Sequence, residues 1–175
     1  NGVAITNVVN SQTMNSSHLC VLSSGASLTI HPGMLITGVR RASVIICDAL
    51  STVTLLGGAI TNNVITSATG AAVIANGAVN VSGSPIVWDN TRSGAQVNIL
   101  PTDASKVNLT GDLAADAKLG VSYGDQPGDR FGVRTAGNPG KAFVCDANEK
   151  LCGVAKSDGY LHWKSLLSGF TIFIQ

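Results

Sequence analysis

Carboxylates are the first residues to test for chemistry, because glycoside hydrolysis requires two of them about 5–10 Å apart. The repetitive part of the chain contains five acids, all aspartates: Asp48, Asp89, Asp103, Asp112 and Asp116. They form no Asp-Asp or Asn-Thr-Asp cluster, and Asp48 and Asp89 are not separated by a whole number of repeat periods. Arg92 and Lys106, the basic residues that a lyase could use, are isolated. We therefore expect no enzyme activity, no catalytic residue and no cofactor or metal.

Cysteine is the second residue type with chemistry to offer. Cys145 and Cys152 flank a turn-like segment, which is compatible with a hairpin disulfide. Cys20 and Cys47 are 27 residues apart (47 − 20), close to one repeat period, so stacking would bring them near bonding distance. Buried thiols are the alternative for Cys20 and Cys47. Two disulfides would imply an oxidising compartment.

Three Asn-x-Ser/Thr triplets are candidate glycosylation acceptors, at Asn15, Asn80 and Asn108. Asn80 and Asn108 occupy matching places in the repeat, so a ladder of side-chain amides explains these two without a glycan. Asn63 and Asn90 are also one period apart, and we expect them at a second corner of each coil.

The elements that would position these residues follow from a repeat. An apolar-polar-apolar stretch followed by a turn-forming residue begins at Val3, Leu28, Val53, Val79 and Val107, in steps of 25, 25, 26 and 28 residues by subtraction. Alternation with period two is typical of a half-buried strand. A unit of this size cannot bury its own apolar face, and stacking the units at about 4.8 Å buries it.

The repeat predicts a parallel β-solenoid of about five coils. Its predicted interior consists of the alternating apolar residues of four coils: Leu28, Ile30, Val53, Leu55, Val79, Val81, Val107 and Leu109. Its predicted turns are made by glycines, which tolerate positive φ: Gly33, Gly58, Gly83 and Gly111.

The last third of the chain differs from the repeat. It contains short strand-like segments between Gly, Asn and Asp turns, together with four of the eight aromatic residues. We predict two units: residues 1–120 as a parallel β-helix, and residues 121–175 as a small antiparallel β cap over the open end of the solenoid. Residues 170–174 form a further apolar strand, which could pair with a neighbouring subunit or fold back on its own domain.

A family resemblance emerges from these motifs. Gly57-Gly58-Ala59-Ile60, followed by Asn62-Asn63, resembles the GGAI-type repeat of polymorphic outer-membrane adhesins. A longer ordered series resembles the right-handed parallel β-helix modules of large microbial surface proteins, over residues 81–90, 97–101, 107–113, 117–121, 142–146 and 158–164. The resemblance implies a right-handed β-helix, an extracellular or cell-surface location and an adhesive or scaffolding role. It implies no catalytic residue.

Composition limits the partners. Charged residues make up 12% of the chain and the net charge is +1, which gives no basic field for nucleic acid. No apolar stretch reaches the roughly 18 residues that span a membrane. Because Asn1 already lies inside the repeat pattern, we expect the chain to belong to a longer protein.

We expect a non-enzymatic structural or adhesive module that presents a rigid surface and can self-assemble. Its expected partners are other protein subunits, further domains of a longer chain, cell-surface glycans of a host, or a second copy of the chain. The alternative is a carbohydrate-binding or carbohydrate-active β-helix domain. Trp88, the one aromatic residue predicted in the solenoid, would be its test residue.

Overall fold

The structure is a computed structural model that describes the strand Val8–Val9 and residues 18–166. The described residues form twenty-one strands and no helix, and so include no helix long and apolar enough to cross a membrane. The predicted first repeat copy at Val3, the acceptor Asn15 and the apolar strand at residues 170–174 lie outside the described residues.

The chain winds in coils, and each coil adds one short strand to each of several parallel stacks. We call these stacks A to D. Stack C begins with β1 (Val8–Val9). The first full coil then supplies β2 (His18–Leu22) to stack A, β3 (Ser27–Ile30) to stack B, β4 (Leu35–Thr37) to stack C and β5 (Arg40–Arg41) to stack D.

The next two coils repeat this order. The second coil supplies β6 (Ser43–Cys47), β7 (Thr52–Leu55), β8 (Ala59–Thr61) and β9 (Val64–Ile65). The third supplies β10 (Val73–Ala75), β11 (Ala78–Gly83), β12 (Ile86–Trp88) and β13 (Thr91–Arg92), and β14 (Ala95–Gln96) then pairs antiparallel with β13.

The fourth coil consists of β15 (Ile99–Pro101), β16 (Val107–Leu113) and β17 (Lys118–Val121). The fifth adds β18 (Arg130–Ala136) to stack B and β19 (Phe143–Cys145) to stack C, both in parallel. The chain ends its described part with β20 (Asn148–Ala155) and β21 (Tyr160–Ser165), which pair antiparallel with β19, with β18 and with each other. The predicted class, an all-β parallel solenoid with antiparallel strands at its C-terminal end, is confirmed.

The interior consists of side chains stacked in register from coil to coil. Leu28 pairs with Val53, Val53 with Val79 and Val79 with Val107, and each is at most 2% exposed. A second buried rank lies two residues further along the same strands, at Ile30, Leu55, Val81 and Leu109. The predicted repeat residues therefore form two continuous apolar columns, because successive strands lie only about 4.8 Å apart.

The corners use glycine where the backbone turns left-handed. Gly33, Gly58 and Gly83 all have positive φ. At Gly58 a Cβ would lie 2.6 Å from the carbonyl oxygens of His31 and Met34, so the close approach requires glycine in addition to the φ of +71°. The prediction for Gly111 is wrong, because this residue lies inside β16. The register shifts there, and Leu113 rather than Gly111 pairs with Gly83, which absorbs the longer repeat step.

An aromatic cluster fills the end of the solenoid. Phe131 and Trp163 stack with ring centroids 3.8 Å apart, and Phe143 packs against Phe131 at 5.2 Å and 60°. All three side chains are at most 1% exposed. Parallel pairing continues through β18 and β19, and antiparallel pairing begins only with β20. The division into two domains at residue 120 stays a prediction.

The predicted disulfides are wrong for this structure, in which all four cysteines are free. Cys20 pairs in register with Ile45, whereas Cys47 pairs with Leu22, so the two cysteines are offset by two residues along the strands. Cys152 pairs with Val144, the neighbour of Cys145. Adjacent strand residues point to opposite faces, so the hairpin places the two sulfur atoms on different sides.

Candidate functional site

A buried row of amides runs along the solenoid and ends on a carboxylate. Asn63 Nδ2 donates to Asn90 Oδ1 at 2.7 Å, Asn90 Nδ2 to Asn98 Oδ1 at 2.8 Å, and Asn98 Nδ2 to Asp146 Oδ1 at 2.7 Å. The three asparagines are at most 1% exposed. We call this row the amide ladder. The predicted stacking of Asn63 and Asn90 is its first step.

The direction of the amide ladder is fixed at both ends. The backbone N–H of Val39 can only donate, and it donates to Asn63 Oδ1 at 2.9 Å. Asp146, when ionised, can only accept. Each amide must therefore present its N–H groups towards the C-terminal end of the solenoid.

Asp146 is the one acid in the amide ladder, and it is well supplied with donors. Its Oδ2 accepts from the backbone N–H of Asn98 at 2.7 Å and from Ser122 Oγ at 2.6 Å. Burial raises the pKa of Asp146, while the hydrogen bonds from Ser122 and Asn98 act in the opposite direction. Gly120 makes the arrangement possible, because a Cβ there would collide with Asp146 Oδ1 and Asn98 Nδ2.

The amide ladder ends at an open cleft of about 500 Å³, which we call the ladder-end cleft. Its lining mixes charged, polar, aromatic and aliphatic side chains, among them Arg92, Gln96, Leu100, Ser122, Tyr123, Asp125 and Asp146. This volume lies within the range of small-molecule sites in proteins.

One wall of the ladder-end cleft is a loop held by three anchors. The indole Nε1 of Trp163 donates to the Tyr123 carbonyl at 2.8 Å, and the Cys145 thiol donates to the Gly124 carbonyl at 3.3 Å. Asp129 Oδ2 accepts from the backbone N–H groups of Asp125 and Gln126 at 3.2 and 3.1 Å. The backbone that carries Tyr123 and Asp125 is thus fixed by the cap before any ligand arrives.

A row of aliphatic side chains leads into the same cleft along the outside of stack A. Val21 pairs with Ile46, Ile46 with Ile74 and Ile74 with Leu100, in unbroken register. Val21 is 56% exposed and the other three are partly exposed. We call these four residues the outward rank. Stack B presents Thr29, Thr54, Asn80 and Asn108 at the equivalent outward positions, so an aliphatic exterior is particular to stack A.

The structure places the remaining sequence candidates apart from this site. Asp48 and Asp103 each accept a backbone N–H two residues further on, from Leu50 and Ser105, and so serve turns. Asn108 donates to Asn80 at 3.3 Å, which is the amide contact that the repeat predicts. No group of three His, Cys, Asp or Glu residues placed to hold a metal ion occurs in the part of the chain that the structure describes.

Trp88 cannot offer an open stacking surface, because it is 8% exposed and Lys118 Nζ lies 3.8 Å from its ring centroid. The aromatic residue with an accessible face at the site is Tyr123, which sequence reasoning did not select. Asp146 and Ser122 were also missed. The available signal was spacing, since Asn98, Ser122 and Asp146 follow one another at intervals of 24 residues by subtraction, close to one coil.

Comparison with known proteins finds no counterpart: no protein-family model, no curated protein and no solved structure matches this chain.

Proposed function

We propose that this chain is a non-enzymatic adhesive module, and that its contact surface is the outward face of stack A. The observation that carries the proposal is the outward rank, four aliphatic side chains held in register on a regular sheet. An exposed apolar row on an otherwise polar exterior is typical of an interaction surface. The interior columns behind it make the surface rigid, so contact orders few groups and costs little conformational entropy.

The size of the face determines the kind of contact. Four side chains at about 4.8 Å spacing span about 14 Å, and strands of this length are about 10–17 Å wide. The face therefore covers roughly 150–250 Å², far below the roughly 800 Å² that each partner contributes to a stable complex. A single copy should bind weakly, and many copies on one surface should bind tightly through avidity. This is the behaviour expected of a surface adhesin.

Self-assembly, where it occurs, is expected to be lateral at this end of the molecule. β20 and β21 pair antiparallel with the last parallel strands, β19 and β18. A further solenoid coil could stack on these strands only by displacing β20 and β21. The outward rank lies on a side face, so contact through it leaves the cap undisturbed.

A cell-surface location is part of the proposal. It is supported by the resemblance of residues 53–164 to microbial surface β-helix modules. Four free thiols remove the argument from disulfides for an oxidising compartment, so the location now depends on that resemblance.

Bead adhesion tests the proposed function. Beads coated densely with the protein are applied to epithelial monolayers and to bacterial lawns, and retention under flow is measured. The test variant carries Ile46→Thr and Ile74→Thr, which keep β-branched side chains and remove apolar surface from the outward rank. The control carries Leu35→Thr and Ile86→Thr, which are partly exposed positions on stack C.

The proposal predicts retention of wild-type and control beads and several-fold lower retention of the test variant, with unchanged circular dichroism for all three proteins. Equal retention of the two variants, or no retention of wild-type beads on any of these surfaces, would contradict it.

A further inference from the structure

The ladder-end cleft has a hydrogen-bonding pattern that selects for ligand class. Ser122 Oγ must donate its only proton to Asp146, because the ionised carboxylate has none to give. The Ser122 oxygen can then only accept from a ligand. Asp146 has about four acceptor positions, of which three are filled by Asn98 and Ser122. The floor of the cleft therefore offers acceptors and requires donors from whatever binds there.

Donors are also present, on the opposite part of the lining. The guanidinium of Arg92 has five N–H groups, and its hydrogen bond among the described residues is from Nη1 to the Gly70 carbonyl at 2.9 Å. A ligand must therefore supply acceptors to Arg92 as well as donors to Ser122 and Asp146. An ammonium group has donors only and would leave Arg92 without a partner. A carboxylate has acceptors only and would face Asp125 and Asp146.

The remaining lining is apolar and partly flat. Tyr123 and Leu100 are both partly exposed in the cleft and pack on the solenoid core. A phenol ring beside an aliphatic surface suits the C–H face of a pyranose, whose hydroxyl groups donate and accept at its edge. Alternating C–H faces and hydroxyl edges match this mixture of lining groups better than a purely polar or a purely apolar ligand does.

We propose that the ladder-end cleft binds an uncharged sugar, as the terminal or internal residue of a neutral oligosaccharide. This inference rests on the proposed adhesive function, whose ligand class it names. Tyr123 stacks on the sugar, Ser122 and Asp125 accept from its hydroxyl groups, and Arg92 donates to them. The amide ladder is the positioning device, because it fixes Asp146 and through it the proton of Ser122. The outward rank, which ends at Leu100, then lies beside the bound glycan.

Saturation-transfer NMR on the full chain tests this directly. The probes are methyl glycosides of glucose, galactose, mannose and N-acetylglucosamine, with glucuronate and butylamine as charged probes, and a glycan array extends the neutral set to longer chains. Tyr123→Ala should weaken binding of a neutral probe about tenfold through loss of the ring contact. Asp125→Asn should weaken it about three- to tenfold through loss of charged acceptor strength.

The matched control is Asp116→Asn, an exposed aspartate outside the cleft, and it should bind as the wild type does. Thermal melting checks that each variant is folded. Neutral-probe binding that is unaffected by Tyr123→Ala and Asp125→Asn would overturn the proposal. So would binding of butylamine or glucuronate alone, or no binding of any neutral glycan.

The outcome is separable from that of the adhesion test. Loss of bead retention in the Ile46→Thr and Ile74→Thr variant, with no glycan binding by the wild type, would uphold the adhesive face and reject the sugar site. Glycan binding that requires Tyr123, with bead retention indifferent to Ile46 and Ile74, would uphold the sugar site and reject the adhesive face.

Discussion

Asn90 is the residue at which the amide ladder can be tested most sharply. Its side chain is fully buried and donates from Nδ2 to Asn98 Oδ1 and to the carbonyls of Ile60 and Trp88. Its Oδ1 accepts from Asn63 twice, from Nδ2 at 2.7 Å and from the backbone N–H at 3.3 Å. Replacing Asn90 with alanine removes all five of these contacts in a region that water does not reach.

The expected cost follows from which partners keep another bond. Asn98 Oδ1 still accepts from the backbone N–H of Asn90, and one N–H of Asn63 Nδ2 still reaches the Ile36 carbonyl. The backbone N–H of Asn63 and the second N–H of its amide are left without a partner. Each buried orphan donor costs about 1–3 kcal/mol, so Asn90→Ala should lower the free energy of unfolding by about 2–6 kcal/mol.

The control is Asn108→Ala. Asn108 is also one period from its partner, but its single contact, to Asn80 Oδ1 at 3.3 Å, is partly exposed, and water can replace it. Its cost should be about 0.5 kcal/mol. Urea unfolding followed by tryptophan fluorescence and circular dichroism measures both variants. Costs that differ by less than about 1 kcal/mol would refute the reasoning that burial makes the amide ladder expensive to break.

Three further predictions follow from the same contacts. Gly120→Ala should cost about 1–3 kcal/mol in urea unfolding, because the new Cβ separates Asp146 from Asn98, and an unchanged midpoint would contradict the close approach at Gly120. Since burial raises the pKa of Asp146 above its usual 3.8, the stability linked to this group is present below that value and lost as pH rises through the folded-state pKa. Wild type should therefore gain stability relative to Asp146→Asn when urea unfolding is moved from neutral pH to about pH 4, and a loss would show the sign to be wrong. Dithiothreitol should leave the melting temperature unchanged, and native labelling with a thiol reagent should spare the fully buried pair while denaturation exposes all four thiols; a drop of several degrees in reductant would instead reveal a disulfide: Cys20, Cys47, Cys145 and Cys152.

The fold could be predicted because one physical requirement repeats along the chain. Leu28, Val53, Val79 and Val107 recur at nearly constant spacing, and only stacking gives each of them a buried neighbour above and below. Spacing alone does not determine register. Cys20 and Cys47 are about one coil apart, yet a two-residue offset within the coil separates them along the strand.

The candidate site was harder to predict, because its residues come from three different coils. Asp146 reaches Asn98 across 48 positions of sequence and only over Gly120, which has no side chain to block it. Neither requirement is visible in a local motif. Gly111 illustrates the opposite error, in which a residue that fits the turn pattern lies in a strand because two extra residues are absorbed beside it.

The claim on which the functional account depends is that the outside of stack A is the surface in contact. Hydroxyl-radical footprinting of the protein bound to the surface that retains the beads measures this directly, by oxidation of individual side chains. The account predicts protection of Val21, Ile46, Ile74 and Leu100, with unchanged oxidation of Leu35 and Ile86 on stack C. Protection of the stack C residues with the outward rank still oxidised would contradict it.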